Sequence, residues 1–250
     1  MRTHPGGRHE LGQNFLVSPE IIDSCDAAVA ATTGPIVEIG PGGGALTVPL
    51  ARLGRPLTAV EVDPRLADRL RRRVPAADVV TGDFLRHRLP DAPHVLVGNL
   101  PFHLTTPLLR RVLRASGWTS AVLLVQWEVA RRRAGVGGAS LMTAQWWPWY
   151  DFALLRRVPA RAFRPAPSVD GGLLTMTRRA RPLVADRAAY QAFARAVFTG
   201  RGRGVAEIAV RAGVPRRAVA AWRREYRVPA AALPKDLGAR QWAALFRVAP

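Results

Sequence analysis

The sequence predicts a doubly wound, mostly parallel α/β sheet followed by a small all-helical segment. Three observations predict it. From Ile36 to Val125, short apolar runs alternate with stretches that carry helix-start signals. Such alternation folds as βα units around a parallel sheet. The runs are continuous rather than alternating, as in strands buried on both faces. Beyond Ala180 the pattern turns helical. A boundary is therefore expected near residue 180, dividing the chain into 1–180 and 181–250.

Taken in order, Met1 to Arg8 is polar, basic and glycine-bearing and reads as a flexible tail. His9-Glu10-Leu11-Gly12-Gln13-Asn14-Phe15-Leu16 then places two amides beside Phe15 and Leu16. Ser18-Pro19-Glu20 is an N-cap with proline at the first helical position, opening a helix through about Ala31. Ile36 to Ile39 is the first strand and carries Glu38. Gly40-Pro41-Gly42-Gly43-Gly44 is a loop, and a helix follows over Ala45 to Leu53. Leu57 to Val62 is the second strand, Pro64 to Arg73 a helix, and Val79-Val80 a third strand leading to Gly82-Asp83. Val95-Leu96-Val97 is the fourth, running into Gly98-Asn99-Leu100-Pro101-Phe102-His103. Pro107 to Arg114 is helical and Ala121 to Val125 is the fifth strand. Asp151 to Val158 and Gly171 to Thr177 are two further strands, with the proline-rich segment Phe163 to Asp170 between them. Four tail helices are expected: Asp186 to Phe198, Val205 to Ala212, Pro215 to Tyr226 and Ala239 to Phe246. Trp146-Trp147-Pro148-Trp149-Tyr150 is expected to be core.

Composition narrows the partners. The 250 residues carry a formal net charge of +19, and Lys235 is the only lysine. So large an excess implies a polyanion, most simply nucleic acid, and arginine both forks to phosphate and stacks on bases. The hydrophobic share of 48% suffices for a real core. One cysteine, Cys25, excludes an internal disulfide and a cysteine metal cluster. His9, His87, His94 and His103 lack metal-ligand spacing, so no metal is expected. The longest apolar runs are too short for a bilayer, and the N-terminus lacks an apolar signal segment. A soluble, cytoplasmic protein without membrane contact is expected.

Chemistry concentrates at the ends of the predicted strands. Glycines let backbone approach a ligand, and a following helix offers free N–H groups. Gly40 to Ala45 fits the dinucleotide fingerprint in its alanine form, and Glu61 lies 61 − 40 = 21 residues on, where an acid binds ribose hydroxyls. NAD and S-adenosylmethionine both carry such a ribose. Gly40, Glu61, Asp83 and Asn99 each close one of four successive predicted strands, so all four are expected to line one crevice. Asp83 can accept from an exocyclic amino group. Asn99 offers an acceptor and a donor, Pro101 stiffens its turn, and Phe102 gives a flat face for a base. Together they suit a planar amino-bearing ring such as adenine. Ala206 to Tyr226 reads as helix, glycine turn, helix, which also suits a DNA-binding unit.

These residues resemble the rRNA adenine N6-methyltransferases, and within them the erythromycin-resistance (Erm-type) group. The resemblance covers nearly the whole chain: His9 to Leu16, Val37 to Gly44, Glu61, Gly82-Asp83-Phe84, Asn99 to Phe102, Gln126 to Ala130 and Phe163 to Asp170. It implies a Rossmann-like S-adenosylmethionine-dependent methyltransferase sheet with a small all-helical C-terminal domain that holds structured RNA. It implies that Asn14, Leu16, Gly40, Gly42, Glu61, Asp83 and Asn99 contact S-adenosylmethionine. Asn99, the Leu100 carbonyl and Phe102 would hold the target adenine, with Phe163 closing its other face. The implied reaction is N6-methylation of an adenine in the peptidyl transferase loop of 23S rRNA, naked or partly assembled, by a monomer, giving macrolide resistance. Two departures stand out. Phe102 replaces a more usual tyrosine, and Trp127 replaces a more usual lysine and is expected to pack beside a strand end. Three alternatives stay open: a small-subunit rRNA adenine dimethyltransferase, a helix-turn-helix DNA-binding regulator, and a nicotinamide oxidoreductase.

Overall fold

The structure is a computed structural model that describes residues 14–250. The expected tail and the His9 to Gln13 part of the first motif lie outside the described residues. The elements are, in order, β1 (Phe15–Leu16), α1 (Pro19–Ala30), β2 (Ile36–Ile39), α2 (Thr47–Ala51), β3 (Leu57–Glu61), α3 (Pro64–Arg73), β4 (Asp78–Thr81), β5 (His94–Asn99), α4 (Thr105–Arg114), β6 (Trp118–Gln126), α5 (Trp127–Arg133), α6 (Leu141–Trp146), β7 (Tyr150–Val158), β8 (Phe163–Arg164), β9 (Gly171–Arg178), α7 (Arg187–Thr199), α8 (Val205–Arg211), α9 (Arg216–Glu225) and α10 (Ala239–Arg247). By packing they divide into two units: the chain up to Ala130 with Leu154–Thr175, and Arg131–Ala153 with Met176–Pro250.

Seven strands form one sheet in the order β4-β3-β2-β5-β6-β9-β7. The pairs β4–β3, β3–β2, β2–β5 and β5–β6 are parallel. All four residues of β2 are buried, as are five of the six in β5. That agrees with the apolar runs in the sequence, because helices cover a parallel sheet on both faces. The chain leaves β2 toward β3 on one side and later fills β5 on the other. The crevice of an open α/β sheet forms at such a switch point, beyond the carboxyl ends.

Local chemistry explains the helices that flank it. Pro64 fixes the first helical φ of α3, and the Asp63 carboxylate accepts from Arg65 and Leu66 N–H. Ala67 and Leu70 face the core, while Arg71, Arg72 and Arg73 sit at the negative end of the helix dipole. In α1, Ile21, Cys25 and Val29 recur every four residues and are buried. α2 is shorter than the helix expected over Ala45 to Leu53. The positive φ of Gly44 leaves 45–46 outside it.

Two strands of two residues had no signal in the sequence. β1 pairs antiparallel with β8, Phe15 opposite Arg164 and Leu16 opposite Phe163. The Val17 N–H donates to the Ala162 carbonyl at 2.8 Å and extends the join. Two residues are too few to display a period, so only the paired partner reveals the element.

The second unit is built on aromatic rings. Trp146, Trp147, Trp149 and Tyr150 are all buried, as expected of core. Trp149 and Phe246 both meet Tyr190 edge-on, with ring centres 5.6 and 5.4 Å away. The buried Tyr190 hydroxyl donates to the Ala144 carbonyl at 2.8 Å. This packing places 131–153 with the tail helices and replaces a single cut near 180 with a discontinuous division. α8 and α9 are joined through Gly213, whose φ of +97° requires glycine. Trp222 of α9 donates to the Gln241 carbonyl, while Arg216, Arg217 and Arg224 are exposed.

Gly98 is a point of close backbone approach inside β5. A Cβ there would stand 2.7 Å from the Ile39 carbonyl oxygen and 3.0 Å from Ile39 Cβ. Both are fixed in the adjoining strand, so neither can yield cheaply. Gly98→Ala is expected to lower unfolding stability by about 1–3 kcal/mol, read from the midpoint of a urea titration.

Candidate active site

A cavity of about 520 Å³ opens at the carboxyl end of β2, wholly inside the first unit. Its walls come from 14–17 around β1, Ile22 of α1, residues within 38–49 from β2 into α2, 61–62 at the end of β3, Arg73 at the end of α3, and 99–102 at the end of β5. Parallel register brings them together. Ile39 lies opposite Val60 on one side and Gly98 on the other, so the residues that follow each strand emerge side by side.

Glu61 ends β3 and is 1% exposed. Its two oxygens accept from Gly42 N–H at 2.8 Å and Asp63 N–H at 2.9 Å. The first bond fixes the glycine loop and the second fixes the turn into α3. A carboxylate has about four acceptor positions, so lone pairs remain for a ligand's hydroxyls. Gly42 has a φ of +54°, and a Cβ there would come within 3.0 Å of the Phe15 ring. Only a glycine fits between the strap of β1 and the acid.

Asn99 is half-buried at the end of β5, and its carboxamide is oriented by the chain itself. Nδ2 donates to the Asn14 carbonyl at 2.7 Å. With that donor committed, Oδ1 is the group left over, and it accepts nothing among the described residues. Leu100 donates its N–H to Leu124 in β6 at 3.0 Å, while its carbonyl likewise accepts nothing among the described residues. Pro101 starts a single helical turn, Phe102–Leu104, closed by Leu104 N–H and Thr105 Oγ1 on the Pro101 carbonyl. That turn presents Phe102 at the cavity wall. The result is two carbonyl-type acceptors and one aromatic face at a single strand exit.

Glu38 lines the same cavity in the middle of β2. It is 1% exposed, and its Oε2 has no hydrogen-bond partner among the described residues. Thr47 stands near it but outside hydrogen-bond geometry. Burial, reinforced by the charge of Glu61, pushes the Glu38 carboxyl up to about 8. A buried, unsatisfied acid is costly unless something pairs with it. A cationic group in the cavity would do so, and S-adenosylmethionine has two, its sulfonium and its ammonium. With a ribose diol for Glu61 as well, the residues present fit that cofactor.

The sequence-predicted residues are not all brought together. Asn14, Leu16, Gly40, Gly42, Glu61, Asn99, Leu100 and Phe102 line the cavity. Asp83 does not: it lies two residues past β4, exposed, with its carboxylate accepting from Leu85 N–H at 2.9 Å. The four strand ends do lie along one edge, but the outermost reaches beyond the cavity. The expectation that Phe163 closes over a base needs correction. Phe163 is 1% exposed, held in β8 by Leu16 and packed in the core. It meets Phe102 edge-on with ring centres 6.2 Å apart and so supports that ring from behind. The sequence alone assigns Glu38 no role. An acid inside an otherwise apolar strand beside the glycine loop was the available signal.

Comparison with known proteins shows the family. The chain is 56% identical over 217 residues to an rRNA adenine N-6-methyltransferase of Corynebacterium diphtheriae, covering 85% of this chain and 86% of the relative. It is 51% identical over 247 residues to the mycinamicin-resistance protein MyrB of Micromonospora griseorubida, covering 97% and 79%. The crystal structure of the 23S rRNA methyltransferase ErmE superposes with a TM-score of 0.86 at 33% identity, covering 94% of this chain and 98% of ErmE. The sequence profile of the family described as ribosomal RNA adenine dimethylase matches residues 6–249, and the chain belongs to that family.

Proposed function

We propose that the protein transfers a methyl group from S-adenosylmethionine to N6 of an adenine in the peptidyl transferase loop of 23S rRNA, conferring macrolide-type resistance. The single observation that carries the chemistry is the Asn14–Asn99 hydrogen bond, which leaves the carboxamide oxygen as an acceptor beside the Leu100 carbonyl. The 23S target rests on the likeness to ErmE, and resistance on the likeness to MyrB. A cytoplasmic monomer acting on naked or partly assembled rRNA fits that substrate.

Gly40, Gly42 and Leu16 would shape the cavity around the cofactor, with Glu61 on its ribose and Glu38 on its cationic end. Asn14 contributes backbone. Asp83, further out along the same edge, would reach only the far end of the purine. The cofactor supplies an electrophilic methyl on a positive sulfur. The exocyclic nitrogen of adenine is a weak nucleophile because its lone pair is delocalised into the ring. Asn99 Oδ1 and the Leu100 carbonyl would each accept one of its N–H bonds and turn the lone pair toward the methyl. Phe102, braced by Phe163, would stack on the base once it has left its helix. The bound cofactor would supply the methyl with its sulfur as leaving group, while Asn99 Oδ1 and the Leu100 carbonyl would hold the two N6 hydrogens, one of which would be lost to water as a proton. Positioning and electrostatics carry the rate, without a strong base.

The direct test uses S-adenosylmethionine with a labelled methyl group and either protein-free 23S rRNA or assembled small subunits. Label in the first alone is the expected outcome; label in the second alone would transfer the protein to the small-subunit reaction. Asn99→Ala is expected to lower kcat by about 10²–10³ with the thermal midpoint little changed. Undiminished turnover would remove the carboxamide from the mechanism.

Glu38 gives a pH test. Below 4.5, its ordinary value, the carboxyl is protonated in folded and unfolded chain alike. Between there and about 8 the unfolded chain loses the proton and the ligand-free fold keeps it, so stability falls as pH rises. Glu38→Gln removes that penalty. The variant is expected to gain thermal stability over the parent at pH 8.5 and much less at pH 5, while binding S-adenosylmethionine more weakly by calorimetry.

A further inference from the structure

We propose that Trp127, Arg157 and Asp170 form a clamp that presents one fixed guanidinium to a backbone phosphate of the RNA near the target adenine. The proposal rests on the RNA reading above and adds a substrate contact to it. All three residues belong to the first unit. Asn99 lies opposite Leu124 in β6, and the chain reaches Trp127 three residues later. At about 3.3 Å per residue, that is roughly 10 Å along the strand direction. The Trp127 N–H donates to the Asp170 carbonyl at 2.9 Å. Asp170 closes the segment that begins with Phe163, the ring braced against Phe102. The clamp therefore sits on the same carboxyl edge as the adenine-binding turn, one strand away.

The cluster is built to hold an arginine still. Its guanidinium carbon stands 5.2 Å over the centre of the Trp127 ring. Nε donates to Asp170 Oδ2 at 2.7 Å, and Asp170 Oδ1 accepts from Ala160 N–H at 2.8 Å. Gly172 lets the indole lie close, since a Cβ there would be 3.3 Å from Trp127 Cε3 and 2.6 Å from Ala130 Cβ. One edge and one face of the guanidinium are thus used. Nη1 and Nη2 donate to nothing among the described residues, and the side chain is 62% exposed.

Those two groups form the fork that suits a phosphate. The fork is already ordered, so little side-chain entropy is lost on contact. Asp170 alone would repel RNA, but Arg157 neutralises it, and the exposed Arg161, just before this segment, and Arg164 within it leave the rim positive. A staple that merely ties 159–170 to the end of β6 would need the Asp170 contacts but would have no use for an outward fork.

The experiment measures binding and methylation of a protein-free 23S rRNA fragment that carries the peptidyl transferase loop, over a series of salt concentrations. Arg157→Ala is expected to weaken binding roughly tenfold. The slope of log K against log salt should fall by about 0.7 for a single-stranded contact or about 0.9 for a duplex one. KM for RNA should rise far more than kcat falls, and cofactor affinity should stay within about twofold. Arg157→Lys should keep the salt slope while losing part of the affinity, and Trp127→Phe should restore most of what Trp127→Ala loses. If Arg157→Ala cannot be obtained folded, Arg157→Gln carries the same comparison. A folded variant with unchanged RNA affinity and salt slope overturns the clamp, whatever its thermal midpoint. A parent enzyme that neither binds nor methylates the RNA overturns the RNA reading together with the clamp.

Discussion

The parallel pairing of β2 with β3 on one side and β5 on the other is the constraint on which the rest of this protein depends. Two strands that flank a third in the same direction must be reached by connections that part above it. The gap between those connections is the cavity. Register then does the assembly: Ile39 opposite both Val60 and Gly98 brings the glycine loop, Glu61 and Asn99 to one level. The absent side chain at Gly98 permits the close pairing, because the Ile39 carbonyl already fills that space.

Within the cavity, polar groups fall into those already satisfied and those kept open. Glu61 holds the glycine loop and its own turn, so the loop has a fixed shape before a ligand arrives. Asn99 is set by a backbone carbonyl from Asn14, some 85 positions away in the chain. Glu38 is the reverse, with an oxygen buried and unmatched. Preorganised acceptors favour a transition state in which charge moves, whereas an unmatched acid favours arrival of a cation. Open acceptors beside a buried, unmatched acid are the features that the proposed methyl donor and amino-bearing ring call for.

The second unit buries Trp146, Trp149, Tyr150 and Tyr190 and exposes many of its arginines. Trp146, Trp149, Tyr190 and Phe246 supply apolar area and edge-on contacts. Exposed Arg216, Arg217 and Arg224 on α9 carry part of the charge excess. A rigid core beneath a basic exterior suits recognition of a polyanion through its phosphates. The same division of labour recurs on a small scale at Trp127 and Arg157, where a ring backs a cation.

Most of the first unit was legible in the residues themselves. Ile36–Ile39, Pro64–Arg73 and the end of β5 appear where their apolar runs and caps place them, because burial on both faces and helix capping are local chemistry. The glycine loop, Glu61 and Asn99 were legible for the same reason. What the chain alone could not display was whatever needs a distant partner: the two-residue strands β1 and β8, the membership of 131–153, the burial of Phe163 and the exposure of Asp83. Composition and period thus determined the longer strands and helices and the residue types at the strand ends, but not β1, β8, α5 or α6. Tertiary structure decided which of those side chains meet and which oxygen of each remains unpaired, since hydrogen-bond partners separated by tens of residues are set by register and packing and not by any local pattern.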